Sequence, residues 1–210
     1  MTDRPSARIS SRKHPKQARS NDLVDSILQA AIQVLAKEGM RRFTTTRVAE
    51  RAGVSVGSVY QYFPNKAAIL FRLQSDEWRE TSEMLRGILE DTRNPPLERL
   101  RLLVHAFIRS ECDEAELRVA LDDAAPFYRD APEAQEVRAA AKQVVEVFMR
   151  EVLPEATDAT RAIAGDLIKV TFSSVGKQFS ESPRTPAQIE TYADAMADMF
   201  CAYLRSLGHA

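Results

Sequence analysis

An all-α fold is expected from three features of the sequence. Glycine is scarce, with 7 in 210 residues. Ala, Leu, Glu, Arg and Gln abound while runs of Val, Ile and Thr are sparse, which favours helix over sheet nearly everywhere. Apolar residues also recur at three- and four-residue steps along most of the chain. With 44% hydrophobic and 28% charged residues there is apolar material for one large or two smaller cores. No apolar run approaches the roughly 20 residues that span a bilayer. The N-terminal arginines have no apolar segment behind them, so neither export nor membrane insertion is indicated and a cytoplasmic location is expected. Cys112 and Cys201 lie far apart and in no ligand-like spacing, which argues for two reduced thiols rather than a disulfide or metal framework.

Residues 1–19 hold Arg4, Arg8, Arg12, Lys13, Lys16 and Arg19 against Asp3, with almost nothing apolar, the composition of a disordered basic arm. From about Ser20, the spacing of Val24, Ile27, Leu28, Ala31 and Leu35 predicts a helix, with Asp22 at the positive end of its dipole and Gly39 as its stop. Thr44 or Thr45 caps a short second helix burying Val48, Ala49 and Ala52, and Gly53 ends it. Ser55 caps a third helix of barely two turns, to Gln61 or Tyr62. Pro64 and Asn65 break the chain again, Asn65 capping a long fourth helix that contains Ile69, Leu70, Leu73 and Trp78. After Asn94, Pro95 and Pro96, five more helical segments read at about 96–112, 114–125, 132–152, 158–181 and 186–207, separated by prolines. The organisation expected is an arm at 1–19, a small helical domain at 20–66 and a helical body at 67–210.

The net charge of -1 conceals an asymmetry, since residues 1–66 carry 12 Lys/Arg against 5 Asp/Glu while residues 67–210 carry 17 against 25. A basic front on an acidic body suits a polyanionic partner at one end. Two short helices joined by a tight Gly-Val turn, after a longer supporting helix, make a helix-turn-helix unit. In its last helix Val59 and Phe63 point inward, leaving Val56, Gly57, Ser58, Tyr60, Gln61 and Tyr62 for the remaining surface. Small residues at the N-terminal end let that helix sink close to a partner, and hydroxyls and an amide surround it, as a DNA major groove requires. The tyrosines alone would equally serve as amphipathic fillers between small helices. The arm likewise has two readings, a solvated tail or a strand of cations (Arg8, Arg12, Lys13, Arg19) following phosphates or an adjacent minor groove.

From Phe43 to Leu70 the chain reads FTTTRVAERAGVSVGSVYQYFPNKAAIL. The order of threonine cap, apolar Val-Ala, AGVS turn, Gly57, Tyr60, Phe63 and Lys66 resembles the TetR family of bacterial transcriptional regulators. The resemblance covers roughly residues 20–75; beyond it only the helical texture agrees. It implies that Thr45 and Thr46 meet phosphates or base edges, with Arg47 nearby, and that Ser55, Val56, Gly57, Ser58 and Gln61 face the groove. It further implies that Tyr60 and Tyr62 hold the DNA backbone and that Lys66 pairs with a phosphate. By the same resemblance the partners are double-stranded DNA at an inverted-repeat operator, a second copy of the chain, and a small-molecule ligand that enters the body and changes the separation of two reading heads.

Candidates for lining a ligand cavity are Trp78, His105, Phe107, Cys112, Phe127, Tyr128, Phe148, Met149 and Phe172, each of which also reads as ordinary core. His105 is either a satisfied core histidine or a polar anchor in an apolar pocket. Segment 158–181 carries two apolar lines, Ile163, Leu167, Val170 and Ser174 on one side and Ile168, Phe172, Val175 and Phe179 on another, and so must be covered on two sides. The last segment shows a stripe of Ile189, Tyr192, Met196, Met199, Phe200, Tyr203, Leu204 and Leu207. It reads as intrachain core or as half of a four-helix dimer interface; the resemblance favours the interface, made by Phe172, Val175, Phe179, Tyr192, Met196, Met199, Phe200 and Tyr203. Ser173, Ser174 and Gly176 would permit close approach there.

The function expected is a homodimeric repressor released from its operator by a small apolar or aromatic ligand; the alternative is a helix-turn-helix activator, or a regulator controlled by a protein partner. An enzyme is not expected, because the sequence has no Gly-rich phosphate loop, no nucleophile motif and no metal-spaced ligand set, and its histidines (His14, His105, His209) are scattered. No cofactor and no metal are called for.

Overall fold

The computed structural model describes residues 18–124 and 143–208, and among them all regular structure is helical. The arm residues Arg4, Arg8, Arg12, Lys13 and Lys16 and the cavity candidates Phe127 and Tyr128 lie outside the described residues. The chain divides into two compact units, Met1–Trp78 with Glu116–Glu136 and Arg79–Ala115 with Val137–Ala210.

The first unit opens with α1 (Ala18–Arg42), where Gly39 at φ 71° and ψ 170° interrupts the helix before a last turn. That conformation is essentially reserved for glycine. In α2 (Thr45–Ala52) the Thr44 hydroxyl accepts from the Arg47 N–H at 3.2 Å, satisfying one of the donors a helix start leaves open. Gly53 closes α2 in the left-handed region, at φ 69°, with its N–H turned back to the Ala49 and Glu50 carbonyls. Ser55 caps α3 (Val56–Tyr62) by accepting from the Ser58 N–H at 3.0 Å. Asn65 caps α4 (Lys66–Glu90) by accepting from the Ala68 N–H at 2.9 Å. Four caps read from sequence are thus four caps in the fold. The core beneath them is built from Ile27, Ala31 and Leu35 of α1, Phe43, Val48, Val59 and Phe63, and Ile69 and Leu70 of α4. α6 (Ala115–Ala124) also belongs to this unit: Leu121 is fully buried in the same core, and Arg118 pairs with the buried Glu77 at 2.8 Å.

In the second unit α5 (Pro96–Asp113) packs against α8 (Asp158–Ser180) and α9 (Pro186–Gly208). A further helix, α7, spans 143–152. Leu100, Val104, Phe107 and Ile108 of α5 meet Phe148 and Met149 of α7, Phe172 of α8, and Met196, Phe200 and Leu204 of α9 in one cluster. α8 crosses α5 at Gly176, where an added Cβ would lie 2.7 Å from the Phe107 ring. Arg99 is the largest fully buried side chain among the described residues of the unit; its guanidinium donates to the Leu89 carbonyl at the end of α4 and to Glu151 of α7. Along the outer edge of α5, Arg101, His105 and Arg109 meet Asp198, Asp194 and Glu190 of α9 in reverse order, an antiparallel ladder of charges one turn apart. Both cysteines are free thiols, and burial pushes each of them up from the usual thiol range.

The two apolar lines of α8 part company in the fold. Ile168, Phe172, Val175 and Phe179 turn inward, with Phe172 stacked on Phe107 at 3.9 Å and Phe179 on Tyr192 at 3.9 Å. Ile163, Leu167 and Val170 stay 66%, 51% and 53% exposed, and Met199 of α9 is 50% exposed. Of the interface set expected from sequence, Phe172, Met196 and Phe200 are corrected, being buried within the chain, while Val175, Phe179, Tyr192 and Tyr203 pack half-buried against the same core and Met199 is exposed. Larger aromatic residues won the inward side because they fill the space between α5 and α9. Among the described residues no helix is long and apolar enough to cross a membrane, and no cluster of three or more His, Cys, Asp or Glu side chains could hold a metal.

Candidate nucleic-acid interface and apolar cavity

Because α3 makes barely two turns, each of its residues is assigned to one side. Val59 and Phe63 are fully buried, and Val56 packs half-buried against the same core. Gly57, Tyr60 and Gln61, three and four residues apart, share the exposed side. Ser55 and Thr46 are exposed, and Ser58, Thr45 and Lys66 are half-buried. The Thr45 hydroxyl and the Tyr60 phenol lie 3.2 Å apart, tying the start of α2 to the end of α3. Arg47 is exposed and pairs with Glu38 of α1, a tie that sequence spacing did not reveal, as is the bond from Arg51 to Gln33.

Tyr62 departs from expectation. Its side chain is 7% exposed and belongs to the core, so the surface role implied for it is corrected. One residue beyond Gln61 on a 100° helical step, it falls on the inward side, beside Phe63.

At Gly57 an added Cβ would find only the Ser55 hydroxyl, at the ordinary distance of 3.7 Å. No contact among the described residues needs this glycine. It leaves the N-terminal end of α3 flat where another molecule could approach.

The second unit contains an apolar cavity of about 470 Å³, open to solvent on one side and within the usual range for small-molecule sites. Its lining draws on Leu85 and Leu89 of α4, Leu103 and Phe107 of α5, Phe148 of α7 and Phe172 of α8, with Met149 beside them. Of the described candidates read from sequence, the structure brings together Phe107, Phe148, Met149 and Phe172 and leaves Trp78, His105 and Cys112 aside. Trp78 packs instead against the core of the first unit. Cys112 packs on the core of the second unit away from the cavity. His105 is no pocket anchor: its two ring nitrogens lie 3.1 Å from Glu190 and 3.1 Å from Asp194 on the outer edge. Leu85 and Leu89, missed from sequence, repeat at the helical step of α4 and were legible had the periodicity been followed past Trp78.

The helix-turn-helix stretch matches the family model "Bacterial regulatory proteins, tetR family" over residues 27–73, and residues 95–207 match "Tetracyclin repressor-like, C-terminal domain". The chain belongs to the TetR family. It is a DNA-binding transcriptional regulator and not an enzyme. Similar TetR-family proteins include the HTH-type transcriptional repressor KstR of Rhodococcus jostii, 32% identical over 150 residues that make up 71% of this chain and 69% of that one. The nucleoid occlusion factor SlmA of Vibrio campbellii is 38% identical over 87 residues, which span only 40% of this chain and 43% of SlmA. In fold the chain is similar to the fatty acid degradation regulator FadR of Bacillus halodurans, with a TM-score of 0.68 at 18% identity, covering 89% of this chain and 96% of that one.

Proposed function

We propose that this TetR-family regulator is a cytoplasmic, homodimeric repressor that occupies an inverted-repeat operator and leaves it when a small apolar ligand fills the second unit. The observation that carries the reading is the 470 Å³ apolar cavity in a chain whose other unit is a helix-turn-helix head. In the division proposed, residues 1–19 are an arm along the phosphates, 20–66 the reading head and 67–210 the ligand-binding and dimerising body. Ser55, Gly57, Ser58 and Gln61, with Val56 at the rim, face the groove; Thr45, Thr46, Arg47, Tyr60 and Lys66 hold the backbone. A head with one two-turn helix makes few base contacts, and a specific site requires a second head one helical turn away. The exposed apolar row Ile163, Leu167 and Val170, with Met199, supports pairing of two copies through α8 and α9. Likeness to KstR, a transcriptional repressor, supports repression as the sign of control.

The test is binding of the full chain to the DNA flanking its own reading frame, with and without a panel of apolar and aromatic compounds. Two protomers on a palindrome, released by a compound that also raises the melting temperature, is the expected result. Leu103→Trp, which fills the cavity, should keep operator binding and lose the release. One protomer per site, or release that Leu103→Trp leaves untouched, would overturn the reading.

A further inference from the structure

The cavity is apolar within, and its rim is charged. Among the described residues of the lining, Arg79, Arg86 and Lys169 stand against one carboxylate, Glu83. Neither Arg86 nor Lys169 has an ion-pair partner among the described residues. A second hollow of about 330 Å³ adjoins the first, with Arg150, Arg161 and Lys169 balanced by Glu146, Asp158 and Asp166, and the two share Val145, Met149, Gly165 and Lys169. At that shared wall a Cβ on Gly165 would lie 3.3 Å from Met149 and 3.4 Å from Val145, so α7 and α8 approach there across a residue with no side chain. Lys169 is one turn further along α8. It lines both hollows and is exposed, which suits a long cation that covers apolar surface with its carbon stem and keeps its head in water.

A wholly apolar ligand would leave these cations without use. From the excess of cations among the described residues lining the apolar cavity we infer that the ligand is an amphipathic anion, with its hydrocarbon part in the cavity and its carboxylate or phosphate head met by Arg86 and Lys169. This rests on the ligand-release reading above and narrows it. Each cation supplies a charge-assisted hydrogen bond that a neutral head cannot use fully and a cationic head would meet as repulsion.

Titration calorimetry of the full chain with decanoate, decanol and decyltrimethylammonium tests it. Decanoate should bind about tenfold or more tighter than decanol, the gain of one hydrogen bond to a charged group, and the ammonium compound weakest. In the Arg86→Gln, Lys169→Gln double variant, whose two sites are exposed, decanoate should bind no better than decanol at an unchanged melting temperature. Equal binding of decanoate and decanol to the wild type, tighter binding of the cation, or a preference that survives the double variant would overturn the inference while leaving the apolar cavity a ligand site. Failure of all three to bind would overturn the inference and the ligand-release reading together, and the carboxylate and phosphate heads are told apart by repeating the titration with decyl phosphate.

Discussion

Gln61 and Tyr62 are neighbours with opposite surroundings, one exposed and one 7% exposed, and that difference decides what each substitution should do. Gln61→Ala removes an exposed side chain, so stability should hold while the preference among duplex sequences flattens, by about 1–3 kcal/mol if the amide pairs with a base. Selection from a randomised duplex library reads it; an unchanged preferred sequence would remove Gln61 from the groove. Tyr62→Ala should instead cost about 3 kcal/mol of folding stability through the void it leaves, seen as a lower melting temperature before any effect on DNA. Gly57→Ala separates folding from reading more cleanly. The added methyl meets only the Ser55 hydroxyl at 3.7 Å, and alanine is the better helix former by about 0.5–1 kcal/mol, so the melting temperature should stay or rise. If the flat end of α3 lies against DNA, affinity for the operator should fall all the same, and retained affinity would show that the glycine faces open solvent.

Between elements, close approach matters more than charge. At Gly176 α8 meets α5 with no room for a methyl, since Phe107 would be 2.7 Å away and is itself held by its stack on Phe172. Gly176→Ala should therefore cost about 1–3 kcal/mol by overpacking, and because Phe107 also lines the cavity it should alter ligand affinity as well as the melting temperature. In the charge ladder between α5 and α9 the carboxylates and Arg109 are exposed and Arg101 and His105 half-buried, and single alanine replacements in it should be milder, because solvent screens such pairs. Its pH dependence has a definite sign. Arg109 first, then His105, holds the Glu190 carboxyl below its ordinary value of 4.5, so its contribution is present above that value and lost as the pH falls through the lowered one. Glu190→Gln should flatten the acid limb of a melting-temperature profile, and an unchanged limb would show the pair to be without net effect.

For the whole molecule, the two sides of α8 predict two different failures. Leu167→Glu places a charge on a row that is already exposed, so a single chain should fold normally; if that row pairs two copies, light scattering should report monomers and operator affinity should fall far more than affinity for random DNA. Phe172→Glu places the charge inside the core of its own chain and should lower the melting temperature whatever the oligomeric state. A wild-type monomer at micromolar concentration holding a palindrome tightly would sink the dimer reading.

What the sequence determined by itself is local. Caps, stops and the turn between α2 and α3 depend on residues within four positions of one another: Thr44, Gly53, Ser55 and Asn65 carry their chemistry with them, and so the helix-turn-helix unit was legible before any fold was known. The tertiary structure decided every question of which side. Periodicity showed that α8 is apolar on two faces, but only packing against α5 and α9 assigned Phe172 and Phe179 to the core and left Ile163, Leu167 and Val170 outside. The same holds for the cavity. His105 and Trp78 had the right chemistry for its wall, yet a wall is formed by residues 60 and more positions apart, such as Leu103 and Phe172, and their meeting is set by how helices cross rather than by any spacing along the chain.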